Sequence, residues 1–345
     1  MAVSPVAVQQ QGRSAPAVSE DTLGTVQGRP NALGQRFREL KAFFGVRPDE
    51  AARASALGLG ELAGARRSLD HQIQAMAAEL GGKTPSLEAV EHSGRLLLSR
   101  ISEHMRKGRT DPRNARIRTS ADEPALPVVD RTLRVGFYAV AGDPLQWGHI
   151  LIALTAMAEL QLDKVVFVLA GDDARKPDMT EADFRHPMGR AVLDTFSPLF
   201  DYSSIAVGTT LDGETNIMRM LQLNPGQSIH AFYIVGGDHY NLKDKKGNDD
   251  TLLKIQKKLE TPGTLDPARH KVSLAFVERD GPLNPIPTPL DVHFLRGVGF
   301  DVSSTLVRQG QYDLMPWAAY EYVRENRPGL YGIRAKEPVA EGTRP

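Results

Sequence analysis

The chain has 345 residues, long enough for a sizeable core and more than one domain. Lys plus Arg equals Asp plus Glu, at 42 each, so no net charge drives it toward nucleic acid or an acidic membrane. Cysteine is absent, which excludes disulfides and thiolate metal sites, and no apolar run approaches the roughly 18–20 residues of a membrane span.

Residues 1–30 are rich in Ala, Val, Ser, Gln and Pro, with Arg13 the only charged side chain before Glu20. Such a segment buries little, and the expectation is a disordered N-terminus without a secretory h-region. A cytoplasmic location follows, with export through an uncleaved disordered leader as the alternative. Residues 31–107 follow helical spacing: Leu33, Phe37, Leu40 and Phe44, then Leu62, Leu69, Ile73, Met76 and Leu80, then Leu87, Val90, Leu97, Leu98, Ile101 and Met105. Thr84-Pro85 supplies an N-cap and first-turn proline for the last stripe. This helical region carries no chemical constellation, and a protein partner or oligomer contact is its expected use. Residues 108–130, basic at first and stiffened by Pro124 and Pro127, read as a solvated linker.

From 131 to 333 the texture changes. Apolar runs at Leu133–Val140, Lys164–Ala170, Ser204–Val207, Ile229–Val235 and Val272–Val277 alternate with helical patterns at 148–161, 181–197, 214–223 and 249–259. The strands are continuously apolar rather than alternating, so both sheet faces are expected to be covered. That predicts an α/β, Rossmann-like, doubly wound parallel sheet, with ligands at the carboxyl ends of the strands near a topological switch point. Residues 334–345 read as a disordered tail.

Four groups fall at those strand ends. Gly142-Asp143-Pro144-Leu145-Gln146-Trp147-Gly148-His149 follows the first strand and opens a helix. Gly148 allows close backbone approach, and His149 can donate a hydrogen bond where free N–H groups favour anions. Lys176 follows the second strand on a polar loop and can reach a phosphate; it also suits a plain surface position, and Arg185 is equally open. Gly236-Gly237 lets a ligand lie against the backbone. Asp238 beyond it can bind ribose hydroxyls or ring nitrogens, or simply cap a helix. Ser303-Ser304-Thr305 with Arg308 one turn later gathers hydroxyls and a guanidinium into a pyrophosphate cradle.

Together these motifs resemble nucleotidyltransferases marked by a (His/Thr)-x-Gly-His signature, and within them nicotinate or nicotinamide mononucleotide adenylyltransferases. The family's Gly-x-Phe-Gly-Gly-Thr-Phe-Asp-Pro-x-His-x-Gly-His is similar to Gly136–His149, its Arg-x-x-Met to Arg185–Met188, and its Gly-x-Asp to Gly236–Asp238. Its Ile-Ser-Ser-Thr-x-Ile-Arg is similar to Val302–Arg308, and its Tyr-Val and Leu-Tyr ending to Tyr322-Val323 and Leu330-Tyr331. The chain departs from the pattern where Ala139-Val140 replaces Gly-Gly and Gln146 replaces the first His or Thr. The resemblance implies ATP-dependent adenylyl transfer to a mononucleotide, with Mg²⁺ bridging the ATP phosphates. His149 and Gln146 would serve the transferring phosphate. Arg308, Ser303, Ser304 and Thr305 would hold the leaving pyrophosphate. Asp143, Gly148, Lys176, Gly236, Gly237 and Asp238 would bind substrate. Two other functions fit the same motifs: a nucleotide-binding or interaction protein with a decayed site, and a nucleotidyltransferase for another phosphate monoester or for CTP.

Overall fold

The computed structural model describes residues 62–173, 176–209, 212–240, 250–261, 263–278, 283–296 and 302–336. The expected disordered start, the helical stripe of Leu33–Phe44 and most of the expected tail lie outside them. Six strands form one parallel sheet: β1 (Leu133–Val140), β2 (Lys164–Leu169), β3 (Phe200–Ser203), β4 (Ile229–Gly236), β5 (His270–Glu278) and β6 (Val292–Arg296). Their spatial order is β3-β2-β1-β4-β5-β6. The order reverses between β1 and β4, so the fold is α/β, Rossmann-like, with its switch point at the carboxyl ends of those two strands.

Helices cover both faces. One face carries α1 (Ala63–Glu79), α2 (Pro85–Arg106), α3 (Trp147–Leu160), α4 (Ala182–Asp194), the short α7 (Ser304–Arg308) and α8 (Trp317–Asn326), which share one apolar core. The other face carries α5 (Gly213–Gln222) and α6 (Asp250–Glu260) over a second core. The α2 stripe begins as the sequence predicts, with Thr84 Oγ1 accepting from Leu87 N at 3.3 Å and Pro85 in the first turn. Among the described residues, no helix is long and apolar enough to cross a membrane.

Three expectations differ from what is observed. Within the expected 108–130 linker, residues 115–119 are packed rather than solvated, while 121–130 are mostly exposed. Ala115, Ile117 and Thr119 point inward at alternate positions while Arg116 stays exposed, so the segment is an extended strap over the second core. Asp163, fully buried, anchors its base by accepting from Asp111 N (2.7 Å), Arg134 N (2.9 Å) and both terminal nitrogens of Arg131 (2.8 and 2.9 Å). Asn224 holds its middle through Arg118 N (2.8 Å) and O (3.0 Å). The third strand lies at Phe200–Ser203 rather than Ser204–Val207, because the chain turns immediately after Ser203. Strand β6 was not anticipated at all: five residues with a histidine and an arginine give little apolar signal.

Candidate active site

The switch point is built around one elbow. Strand β1 ends at Val140, Gly142 takes φ +64, the Asp143-Pro144 peptide is cis, and α3 begins at Trp147. Gln146 is the N-cap of α3. Its side-chain carbonyl accepts from the backbone N–H of Gly148 and from that of His149 (3.3 Å). In return, His149 Nδ1 accepts from Gln146 N at 3.2 Å. This reciprocal capping box satisfies backbone donors that would otherwise face outward. Because Nδ1 accepts, the proton of the neutral ring sits on Nε2, the nitrogen that can donate. The ring is buried and meets Tyr138 edge-on at 6.1 Å.

Helix α7 is clasped to this elbow. Ser304 Oγ donates to Pro144 O (2.9 Å), and Arg308 Nη1 donates to Asp143 O (2.6 Å) while Nη2 reaches Thr305 Oγ1 (3.2 Å). Ser303 Oγ caps α7 through Leu306 N at 3.2 Å. A Cβ on Gly148 would lie 2.5 Å from Val302 Cγ1 and 2.6 Å from Gln146 Oε1. Gly148 is thus where α3 meets the residue leading into α7, which is the local reason for glycine before the histidine. Gly148→Ala is expected to cost about 1–3 kcal/mol through overpacking. It should also loosen Arg308 from the elbow. Thermal melting and nucleotide titration check this, and an unshifted melting temperature would contradict the contact.

The Asp143 carboxylate points inward. Oδ1 accepts from Tyr331 OH at 2.5 Å and Oδ2 from Thr180 N at 3.2 Å. Arg185, completely buried, donates to four carbonyls: Thr180, Ala141 (2.5 Å), Ala170 (3.0 Å) and Gly171 (3.1 Å). It staples the loops after β1 and β2 and has no open face for substrate. His186 is similarly structural: Nε2 donates to Ala170 O (2.9 Å), Nδ1 accepts from Tyr202 OH (2.6 Å), and burial pushes its pKa down.

Beside the elbow lies a cleft of about 270 Å³. Its walls include Ala139 and Val140 from β1, Ala141 just beyond it, Lys176, Asn216, Tyr233 and His239. A Cβ on Gly213 would meet Tyr233 Oη at 2.5 Å, so glycine there lets the phenol sit at the start of α5. Burial pushes the Tyr233 phenol well above its ordinary pKa, keeping it a neutral donor. Gly236 closes β4, and Gly237 opens a short 3-10 turn, Gly237–His239. A Cβ on Gly237 would lie 2.7 Å from Val277 O, so its glycine serves strand packing. Asp238 in that turn is largely exposed and 3.7 Å from His239 Nε2; the histidine, not the aspartate, lines the cleft.

The structure therefore gathers His149, Gln146, Gly148, Asp143, Ser304 and Arg308 at one elbow, with Lys176 on the adjoining cleft, while Asp238 does not line it. Tyr331 and Thr180 escaped sequence reasoning about the site, as did Asn216, Tyr233 and His239. Tyr233 carried a faint signal, as a phenol inside an apolar strand.

No family model matches the chain. It is similar to the "Probable nicotinate-nucleotide adenylyltransferase" of Moorella thermoacetica, at 28% identity over 229 residues, 61% of this chain and 100% of that protein. Those of a Thermoanaerobacter species (30% over 114 residues, 32% of this chain and 53% of that one) and a Roseiflexus species (27% over 184 residues, 51% and 84%) are also similar. Among solved structures, Plasmodium falciparum nicotinic acid mononucleotide adenylyltransferase complexed with NaAD aligns with TM-score 0.41 and 14% identity, over 58% of this chain and 97% of that one.

Proposed function

We propose that the chain transfers the adenylyl group of ATP to nicotinate or nicotinamide mononucleotide, releasing pyrophosphate and forming the dinucleotide. The observation that carries this reading is the elbow at the switch point, where the His149 Nε2 donor and the Arg308 guanidinium flank one turn. The named relatives supply the substrate class.

A phosphate oxygen of the mononucleotide attacks the α-phosphorus of ATP. The bond to the bridging oxygen breaks in line, and pyrophosphate leaves with the electron pair. Such a step needs positioning and charge stabilisation rather than a covalent enzyme intermediate. His149 Nε2–H donates to the transferring phosphate. Arg308 holds the leaving pyrophosphate, with Thr305 orienting the guanidinium and Ser303 and Ser304 fixing α7 against the elbow. The cleft beside β1 and β4 takes the mononucleotide, with Lys176 at its phosphate end, and the Gly236–Asp238 turn borders the adenosine.

Gln146 acts through the α3 cap: its carbonyl occupies two helix N–H groups and its own N–H orients His149. Mg²⁺ fits as the MgATP complex. Among the described residues no three His, Asp or Glu side chains are arranged to hold an ion, so phosphate oxygens and water would be its ligands. When bound, it would neutralise charge on the phosphates.

The test is incubation of the full chain with MgATP and each mononucleotide, following dinucleotide and pyrophosphate. Equal amounts of both products are expected. Clear ATP binding with no dinucleotide from either acceptor would overturn the reading and favour a nucleotide-binding protein whose Gln146 self-caps the site.

A further inference from the structure

The last described turn of the chain is bent to deliver one phenol. Tyr331 adopts φ 55, ψ 18, a left-handed conformation that a bulky side chain rarely takes. Gly329 (φ 94) and Gly332 (φ 76) flank it. Tyr312 OH donates to Tyr331 O (3.0 Å), and Gly329 N donates to Ile333 O (2.6 Å), closing the turn. A non-glycine residue in this region is strained and persists where its surroundings over-determine it. Here the surroundings are the elbow. The phenol is buried, lies 3.0 Å from Thr180 Oγ1, and donates to Asp143 Oδ1.

That contact lies beside a charged side chain. Arg308 Nη1 donates to the backbone oxygen of Asp143 and holds only a long ion pair, 3.7 Å, with its carboxylate Oδ2. Asp143 is 4% exposed, so an oxygen deprived of its donor cannot turn to bulk water. Arg185 is already committed to four carbonyls. Arg308 is then the cation that the carboxylate would draw in.

We propose that Tyr331 is a positioning residue: by satisfying Asp143 Oδ1 it keeps the long Asp143–Arg308 ion pair from tightening into a direct hydrogen-bonded one, and so leaves the guanidinium to polyphosphate. This rests on the reading of Arg308 as a phosphate ligand. The last described turn thereby sets the charge available 23 residues upstream, at a helix it does not belong to.

Calorimetric titration of the full chain with inorganic pyrophosphate, and separately with MgATP, tests it. Tyr331→Phe is expected to weaken pyrophosphate binding about tenfold, the scale of one charge-assisted contact. Adding Asp143→Asn to that variant removes the competing charge and should recover most of the lost affinity. A merely structural tyrosine would instead lower the melting temperature, and the second substitution would lower it further without restoring binding. Pyrophosphate affinity of a folded Tyr331→Phe within about twofold of the parent overturns the inference, as does failure of the double variant to recover. Arg308→Ala separates the two levels. If it binds pyrophosphate like the parent, the anion site itself falls. If it loses binding while Tyr331→Phe does not, only the role of Tyr331 falls.

Discussion

His149→Ala is expected to lower kcat/KM for dinucleotide synthesis by roughly a hundred- to a thousandfold, the usual consequence of removing one preorganised donor from developing transition-state charge. Two jobs are superimposed on this ring. Nδ1 closes the α3 capping box by accepting from Gln146 N, and the opposite nitrogen carries the donor. Loss of a cap costs about 1 kcal/mol of stability, which moves the melting temperature a few degrees but does not touch turnover of the folded fraction. His149→Asn separates the jobs. Its side-chain oxygen can take the Gln146 N–H, while the shorter side chain lacks the reach of Nε2–H. It should keep the parent's melting temperature and lose rate nearly as far as His149→Ala. The loss is expected in kcat rather than KM, since the donor acts most strongly as charge shifts on the transferring phosphate in the transition state. A near-normal kcat in a folded His149→Asn would remove the ring from the chemistry and leave it a helix cap.

The elbow was legible because its signals are local. A continuous apolar run, Asp-Pro, and Gly-His ahead of another apolar run can be read without knowing any distant contact, and so can Gly236-Gly237 at the end of β4. Arg308 was legible for the same reason, one helical turn beyond its hydroxyls. What stayed hidden depends on partners far along the chain. Tyr331 meets Asp143 across 188 positions, and nothing near Leu330-Tyr331 says that the phenol is buried against a carboxylate. Arg185 has the composition of a phosphate ligand and the surroundings of a staple; only its four carbonyl partners distinguish the two. Gln146 was legible as a departure, but the carbonyl that caps Gly148 and His149 was not, because long glutamine side chains seldom serve as N-caps. The strap at 115–119 was masked by its arginines: Ala115, Ile117 and Thr119 alternate inward, too small a set to stand out beside Arg113, Arg116 and Arg118.

Removing residues 1–107 is expected to abolish cooperative folding of what remains. The reason lies in α3, the helix that carries Gln146 and His149 at its start. Every residue of α3 except Glu159 is buried, so it is apolar all round and cannot present a face to water. The sheet covers one side and α2 packs along another. His104 reaches Ala158 O at 2.9 Å, and α1 adds Gln72 Nε2 to Thr195 Oγ1 (3.0 Å), Ala318 N to Gln72 Oε1 (3.2 Å) and Arg324 to Glu79 (2.9 Å). Gly94 sets how closely α1 and α2 approach, since a Cβ there would lie 2.7 Å from Leu69 Cδ2. Leu87, Val90, Leu97, Leu98 and Ile101 of α2 are all essentially inaccessible. At about 1.5–3 kcal/mol for each buried side chain, their burial alone is of the order of 10 kcal/mol. That matches the roughly 5–15 kcal/mol by which whole domains are stable. A fragment covering 108–345 should therefore be recovered aggregated, or soluble with no cooperative melting transition and no nucleotide binding. Ile101→Ala in the full chain gives the graded version, a loss of about 2–5 kcal/mol by denaturant titration, with kcat of the folded protein nearly unchanged because the side chain lies behind α3 and away from the elbow. A fragment 108–345 that melts cooperatively and turns over at the full-length rate would instead make α1 and α2 an appended module, and the exposed back of α3 would then need another explanation.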